Sequence, residues 1–265
     1  MPELPEVEAI CRELRPKLTG QKVASISISL PRIIRQGDPT TLLETTILSV
    51  ERYGKHIDIR LDMGISLFVH LRMTGQLLWE PADSRIDRFV RAIFYFGSGR
   101  LVYRDVRTLG GFWISPSTKP PWKKLGPDPF SPAFTTSYLE KALSKKSVSI
   151  KTILLDQSLI AGIGNIYASE ILFYSGIRPD RSGNSLSDTE LNAIITNSRL
   201  VLQSAIDSKG TTFRDFRLSD GKEGEFAEFL QVYGHENSPC RKCNNSIIRI
   251  PQNGRSTYYC PKCQS

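Results

Sequence analysis

The sequence predicts an α+β fold, and three observations carry that expectation. The first residues have helical periodicity, the region from Lys22 to Arg104 alternates with period two, and helical spacing returns from Thr136 until a terminal cluster of cysteines. Runs of strands followed by runs of helices indicate segregated layers rather than alternating βαβ units.

Residues 5–18 read as an amphipathic helix, because Val7, Ile10, Cys11, Leu14 and Leu18 fall on one face. Pro5 suits the first turn, Glu6 and Glu8 suit its positive end, and Gly20 suits the stop. Beyond it Ile26, Ile28 and Leu30 alternate with serines, and Ile57, Ile59 and Leu61 alternate with His56, Asp58 and Arg60. Ile65 to Leu71, Phe89 to Phe96 and Leu101 to Arg104 are further strand-like runs, so an antiparallel β-sandwich or barrel is expected. Between Ser115 and Pro132 six of the chain's 16 prolines mark a connector. Helices are expected at 136–145, 149–157, 165–175 and 187–208, the last opening with a capping-box signature, Ser187-Asp-Thr-Glu190. A polar, glycine-punctuated stretch, 210–224, precedes the cysteines.

With 40% apolar and 23% charged residues among 265, the composition excludes a disordered or collagen-like chain. No apolar run approaches the roughly 18 residues of a membrane span, and the acidic start MPELPEVEAI lacks the features of a secretory signal. The chain is therefore expected to be intracellular. Its 35 Lys and Arg against 27 Asp and Glu give +8, which suggests a polyanionic partner, although a basic surface that only aids solubility would give the same balance.

Cys240-Arg-Lys-Cys243 and Cys260-Pro-Lys-Cys263 are two CxxC pairs on either side of a 16-residue spacer. Thiolate pairs at this spacing close a tetrahedral site, so one structural Zn2+ is expected; disulfides or a redox CxxC fit a reducing compartment less well. The same segment carries Arg241, Lys242, Arg249, Arg255 and Lys262 with no Asp or Glu, which suits a phosphate backbone. Cys11 reads as a plain buried thiol. In Ala161-Gly-Ile-Gly164-Asn165 two glycines precede a helix start, an arrangement that lets backbone N–H groups approach a phosphate, with Lys146 and Lys151 nearby. A tight turn that binds nothing would look the same. At the other end, removal of Met1 would leave Pro2 with a secondary amine, partly neutral at pH 7 and able to attack carbon. Glu3 and Glu6 stand beside it for proton transfer, although ELPE also reads as a helix cap.

Met-Pro2-Glu3-Leu4-Pro5-Glu6-Val7-Glu8, Gly162-Ile-Gly164-Asn165-Ile-Tyr167-Ala-Ser-Glu170, Gln231-Val-Tyr233-Gly and the four-cysteine module together resemble the bacterial formamidopyrimidine-DNA glycosylases, in the family's order and over essentially the whole chain. The resemblance implies an N-terminal helix and β-sandwich, a C-terminal helix-two-turn-helix domain and a zinc hairpin. It implies base-excision repair of oxidised purines, such as 8-oxoguanine and formamidopyrimidines, flipped out of double-stranded DNA. On it, Pro2 is the nucleophile that forms a Schiff base, Glu3 the acid at the sugar, Lys55 the lysine of β-elimination and Arg255 the arginine of δ-elimination. Met73 and Arg107 would fill the hole left in the duplex, and 210–224 would cover the extruded base. The chain departs from the pattern at Leu109, where phenylalanine is usual, at Thr108, where a basic residue is usual, and at Ile86, where a histidine precedes the aspartate. Leu4, in PELPE rather than PEGPE, favours purine lesions over pyrimidines.

The expected organisation is a catalytic β-sandwich domain at 1–114, a proline-rich linker at 115–134, a helical DNA-binding domain at 135–234 and a zinc hairpin at 235–265. Met73, Arg107, Leu109, Lys146, Lys151, Gly164 and Asn165 are the expected DNA contacts. The expected chain is a monomer in the bacterial cytoplasm, acting on lesion-containing or abasic duplex without a membrane. A non-catalytic damage-binding paralogue, or a zinc-ribbon module for RNA or promoter DNA, would share some of these features. The last leaves the N-terminal Pro-Glu pair unexplained.

Overall fold

A computed structural model describes residues 1–122 and 124–265, which form two compact units: Met1–Lys123 with Ile206–Ala227, and Lys124–Ala205 with Glu228–Ser265.

The first unit opens with helix α1 (Leu4–Leu18), and its expected apolar stripe of Val7, Ile10, Cys11, Leu14 and Leu18 is wholly buried. Burial raises the Cys11 thiol far above its ordinary pKa, so it is an inert core group. The strands are β1 (Ser25–Ile28), β2 (Ile34–Gln36), β3 (Ile47–Tyr53), β4 (His56–Leu61), β5 (Ile65–His70), β6 (Gly75–Glu80), β7 (Val90–Phe96), β8 (Gly99–Asp105) and β9 (Gly111–Pro116). They make a four-stranded sheet, β1-β7-β8-β6, and a five-stranded sheet, β2-β9-β5-β4-β3. One core cluster joins α1 to both sheets, with Phe112 of β9 packed against Phe94 of β7 and Tyr103 of β8 at ring separations of 5.6 and 4.7 Å. This is the sandwich, not a closed barrel.

Four strands escape the period-two reading. β3 buries only Ile47 and Val50, three apart, because its register with β4 shifts between Ile47 and Ser49. β2 has three residues and pairs in parallel with β9, so the sheets are not purely antiparallel. β6 and β9 begin at glycines and carry consecutive buried residues instead of an alternation. Leu30, expected in β1, instead precedes a 3-10 turn at Pro31–Ile33.

Two expected boundaries also move. β9 extends to Pro116, and Trp122 then stacks on Tyr53 (5.0 Å) and packs on His56 (4.6 Å) and Phe68 (5.2 Å), so the proline-rich segment up to this point belongs to the first unit. The stretch 210–224, expected within the helical domain, also belongs there. Phe216 and Leu218 join the sandwich core, Trp79 N–H donates to Ser219 O (2.8 Å), and Glu13 Oε2 accepts from the Ser219 N–H (2.9 Å).

The second unit contains α2 (Thr136–Leu143), α3 (Ile150–Leu155), α4 (Asn165–Tyr174), most of α5 (Asp188–Asp207) and the hairpin of β10 (Ile248–Gln252) and β11 (Arg255–Tyr259). Thr135 caps α2 by accepting from Tyr138 N–H at 3.1 Å, and Glu190 accepts from Ser187 N–H at 2.8 Å in the expected capping box. Glu170 of α4, 1% exposed, accepts from the N–H groups of Gln231, Val232 and Tyr233 at 2.8, 3.0 and 2.9 Å and so docks the segment entering the hairpin. Burial nevertheless holds its carboxyl above the ordinary range. Glu170→Ala leaves those donors without their acceptor and is expected to cost about 3 kcal/mol, read as a lowered denaturation midpoint.

Candidate active site and nucleic-acid-binding residues

In the first unit Met1 is 41% exposed, but the residues that follow it are held inside the protein: Pro2 is buried, and Glu3 and Glu6 are 3% and 1% exposed. Pro5 in the first turn of α1 needs no N–H partner, and the Glu3 N–H donates to Glu6 Oε2 at 2.7 Å. Glu6 Oε1 accepts from the Thr211 N–H at 2.8 Å. Glu6, expected to share proton transfer with Glu3, thus has both carboxylate oxygens engaged by backbone and acts as a tie between the first turn and the 210–224 segment.

Lys55 lies in the β3–β4 turn and is 7% exposed. Beside it His56 and His70 meet edge to face at 4.6 Å. Burial is the first cause that lowers both, to about 4 for His56 and about 2 for His70, with the Arg72 and Lys55 charges adding to it. His70 is thus neutral, and its Nδ1 accepts from the Arg72 N–H at 3.0 Å, fixing the turn that presents Met73. Met73 and Leu109 are 40% and 44% exposed, and Arg107 is exposed. Ile86 is also exposed, while Arg88 stacks its guanidinium 4.6 Å from the Phe89 ring centroid.

In the second unit the Gly162–Gly164 turn is clamped by Gln157, whose Oε1 accepts from Gly162 N–H (2.9 Å) and whose Nε2 donates to Ile163 O (2.8 Å). Gly162 has φ +93, a conformation that favours glycine, and Gly164 caps α4 without a side-chain acceptor. Asn165 Nδ2 donates to Ser256 O at 3.0 Å and to the Tyr233 hydroxyl at 3.4 Å, while its buried Oδ1 has no partner. Lys151, expected to contact DNA, is 1% exposed and instead donates to Ser256 O (3.1 Å) and Thr257 Oγ1 (2.7 Å). It anchors the hairpin from inside, whereas Arg255 at the start of β11 is exposed and Lys146 is half-buried. A cavity of about 370 Å³ opens beside Lys146, Lys151, Gln252 and Arg255.

Tyr233, stacked edge-on to Tyr258 at 5.0 Å, was marked by its motif but not by its chemistry. Thr74, Asp105 and Thr211 carried no signal, since each works through a hydrogen bond to a residue remote in sequence.

The thiols of Cys240, Cys243, Cys260 and Cys263 lie within 4.8 Å of one another, with Cys243–Cys260 at 3.5 Å and Cys240–Cys263 at 3.9 Å. Four Zn–S bonds of about 2.3 Å in a tetrahedron require S···S separations of about 3.8 Å, so the set fits one zinc ion. Phe173, Val232 and Ile247 pack around it. Bound zinc supplies a crosslink that fixes the hairpin carrying Arg249 and Arg255.

A sandwich that buries Pro2 and Glu3, followed by helices and a four-cysteine hairpin, is the architecture of the helix-two-turn-helix DNA-repair glycosylases, and family models match it part by part. Family models for the formamidopyrimidine-DNA glycosylase N-terminal domain, the formamidopyrimidine-DNA glycosylase H2TH domain and the zinc finger found in FPG and IleRS match residues 1–112, 125–217 and 237–265. Relatives named formamidopyrimidine-DNA glycosylase from Pelotomaculum thermopropionicum and Carboxydothermus hydrogenoformans are 40% and 41% identical, over 100% of this chain and 99% and 100% of theirs. Among solved structures, a Lactococcus lactis FPG mutant with Fapy-dG-containing DNA has a TM-score of 0.94 at 33% identity over 100% of both chains. The L. lactis Fpg with abasic-site DNA has 0.93 at 33% over 99% of both. The chain belongs to the formamidopyrimidine-DNA glycosylase family, base-excision repair enzymes that also have abasic-site lyase activity.

Two outcomes are expected. Chelation removes one zinc per chain, measured by elemental analysis, and abolishes duplex binding in the same titration. The folded pKa values of His56 and His70 lie below the unfolded value near 6.5, so their contribution to stability is complete above pH 6.5 and is lost as pH falls towards them. Urea midpoints therefore drop between pH 6.5 and 5, and replacing both histidines with glutamine flattens that slope.

Proposed function

We propose that this chain excises oxidised purines from duplex DNA and then cleaves the resulting abasic site, with Pro2 as nucleophile. The observation that carries the reading is the burial of Pro2 and Glu3 beside the Glu3 N–H to Glu6 bond, which holds the Pro2 nitrogen in a fixed place. Once Met1 is removed, the Pro2 amine attacks C1′ of the damaged nucleoside, and the base departs with the electrons of the glycosidic bond. Glu3 protonates the ring oxygen as the sugar opens and an iminium linkage to Pro2 forms. Lys55 assists loss of the 3′ phosphate by β-elimination, and Arg255 assists δ-elimination at the 5′ phosphate. Glu6 holds this start in place.

Met73, Arg107 and Leu109 enter the space the nucleotide vacates, and Asn165, Lys146 and the α4 N-terminus hold phosphates. Leucine wedges without an aromatic face, so opposite-base discrimination weakens relative to members with phenylalanine. The L. lactis Fpg neighbours are complexed with DNA containing Fapy-dG, an abasic site or, in one case, an oxidised pyrimidine, which supports a damaged-duplex substrate. The enzyme acts as a monomer on the bacterial nucleoid, in the cytoplasm; among the described residues no helix is long and apolar enough to cross a membrane. A non-catalytic damage-binding role is the second reading, motivated by Leu109 and Ile86.

Borohydride is expected to trap a covalent adduct between protein lacking Met1, confirmed by mass spectrometry, and abasic duplex. Pro2→Gly lowers trapping at least tenfold, and protein retaining Met1 gives none. Binding without any adduct by correctly processed protein selects the second reading. Incision of duplexes carrying 8-oxoguanine, a formamidopyrimidine or an oxidised pyrimidine, each opposite all four bases, tests the purine preference.

A further inference from the structure

The two loops that carry Met73, Arg107 and Leu109 each contain a non-glycine residue in left-handed backbone: Arg72, with φ 56, and Thr108, with φ 54. Such conformations persist only where the surroundings impose them. His70 Nδ1 accepts from the Arg72 N–H, Arg32 donates to Thr108 Oγ1 at 2.8 Å, and Arg35 donates to Gly110 O at 3.0 Å. One group reaches both loops. Asp105, the last residue of β8, is 0% exposed, and its Oδ1 accepts from Thr74 Oγ1 at 2.5 Å. Thr74 follows Met73, and its hydroxyl oxygen in turn accepts from the Arg107 N–H at 3.1 Å. Asp105 Oδ2 accepts from the Gly110 N–H and from the Tyr103 hydroxyl, both at 3.0 Å, and Gly110 follows Leu109.

The packing leaves little room for another arrangement. A Cβ on Gly110 would lie 2.1 Å from the Tyr103 hydroxyl, and one on Gly75 would lie 2.5 Å from Leu71 O. A buried carboxylate with these donors is an expensive group to retain in a core that hydrophobic residues could fill, unless its fixed geometry is used.

We propose that Asp105 is the positioning residue of the wedge: its carboxylate, through Thr74 and Gly110, sets Met73, Arg107 and Leu109 in their insertion geometry before DNA binds. The enzyme then meets the duplex with the backbone of both wedge loops already ordered, so less conformational entropy is lost there during extrusion. The proposal rests on reading Met73, Arg107 and Leu109 as the wedge. It concerns the extrusion step and not the chemistry at Pro2.

The test is stopped-flow fluorescence of 2-aminopurine placed beside 8-oxoguanine in a duplex, compared with borohydride trapping on a single-stranded abasic oligonucleotide, which has no stack to open. Thr74→Val, close in shape but without a hydroxyl, and Asp105→Asn are expected to slow the fluorescence rise about tenfold relative to any change in trapping. Thr74→Ser restores the rate. If Met73→Ala slows the rise and Thr74→Val leaves it within twofold, Asp105 has no positioning role and the wedge reading stands. If Met73→Ala leaves it unchanged, the wedge reading itself fails. Equal losses on both substrates overturn the proposal by showing a general structural defect. Should Asp105→Asn not fold, Thr74→Val decides.

Discussion

The carboxylate of Glu6 is shared between two backbone N–H groups, that of Glu3 in its own turn and that of Thr211 more than two hundred residues later. A buried carboxylate needs such charge-assisted donors to offset its lost hydration. Here the requirement has a structural result, because the same two bonds determine where the chain begins in space. Gly210 completes the joint: with φ +83 and a Cβ position only 2.9 Å from Glu6 Cγ, it admits no side chain. This tie fixes the first turn of α1 behind the buried Pro2, and it adds to the core contacts of Phe216 and Leu218 that attach 206–227 to the sandwich.

What the sequence revealed and what it concealed divide along physical lines. The apolar face of α1 was legible because a lone helix on a sheet buries one stripe, and all five stripe residues are wholly buried. β4 was legible in period two, with Ile57, Ile59 and Leu61 buried, and β5 as a continuous apolar run. β9 was not, since Gly111, Phe112, Ile114 and Ser115 are all buried and the strand shows no polar face. The four cysteines were the most legible part of the site, because metal spacing is a local property of the chain. Lys151 was misleading: a lysine in a helical run reads as surface, and its acceptors, Ser256 and Thr257, lie 105 and 106 residues further on. The segment 210–224 reads as a polar loop, and only the burial of Phe216 and Leu218 in the first core shows where it belongs.

The second unit handles charge in a complementary way. Lys151 places an ammonium behind the zinc hairpin and Glu170 a carboxylate behind the segment that leads into it, each satisfied by groups of the element it holds. The cations on the outside of that hairpin, Arg249 and Arg255, are therefore carried by a strand pair fixed by the metal on one side and by buried polar anchors on the other. A basic surface built this way gains its rigidity from groups in the interior.

The division of the first unit into two stretches of chain has a consequence for synthesis. A ribosome delivers α1 and all nine sandwich strands well before residues 206–227, yet Phe216, Leu218 and the Thr211 N–H complete the core and the joint at Glu6. The nascent sandwich must wait, partly open, until most of the helical region has emerged. During that interval Glu6 still lacks one of its two backbone donors, so the first turn of α1 is held only by its own residues. The last stretch to join the first unit is thus the one that closes over its first helix.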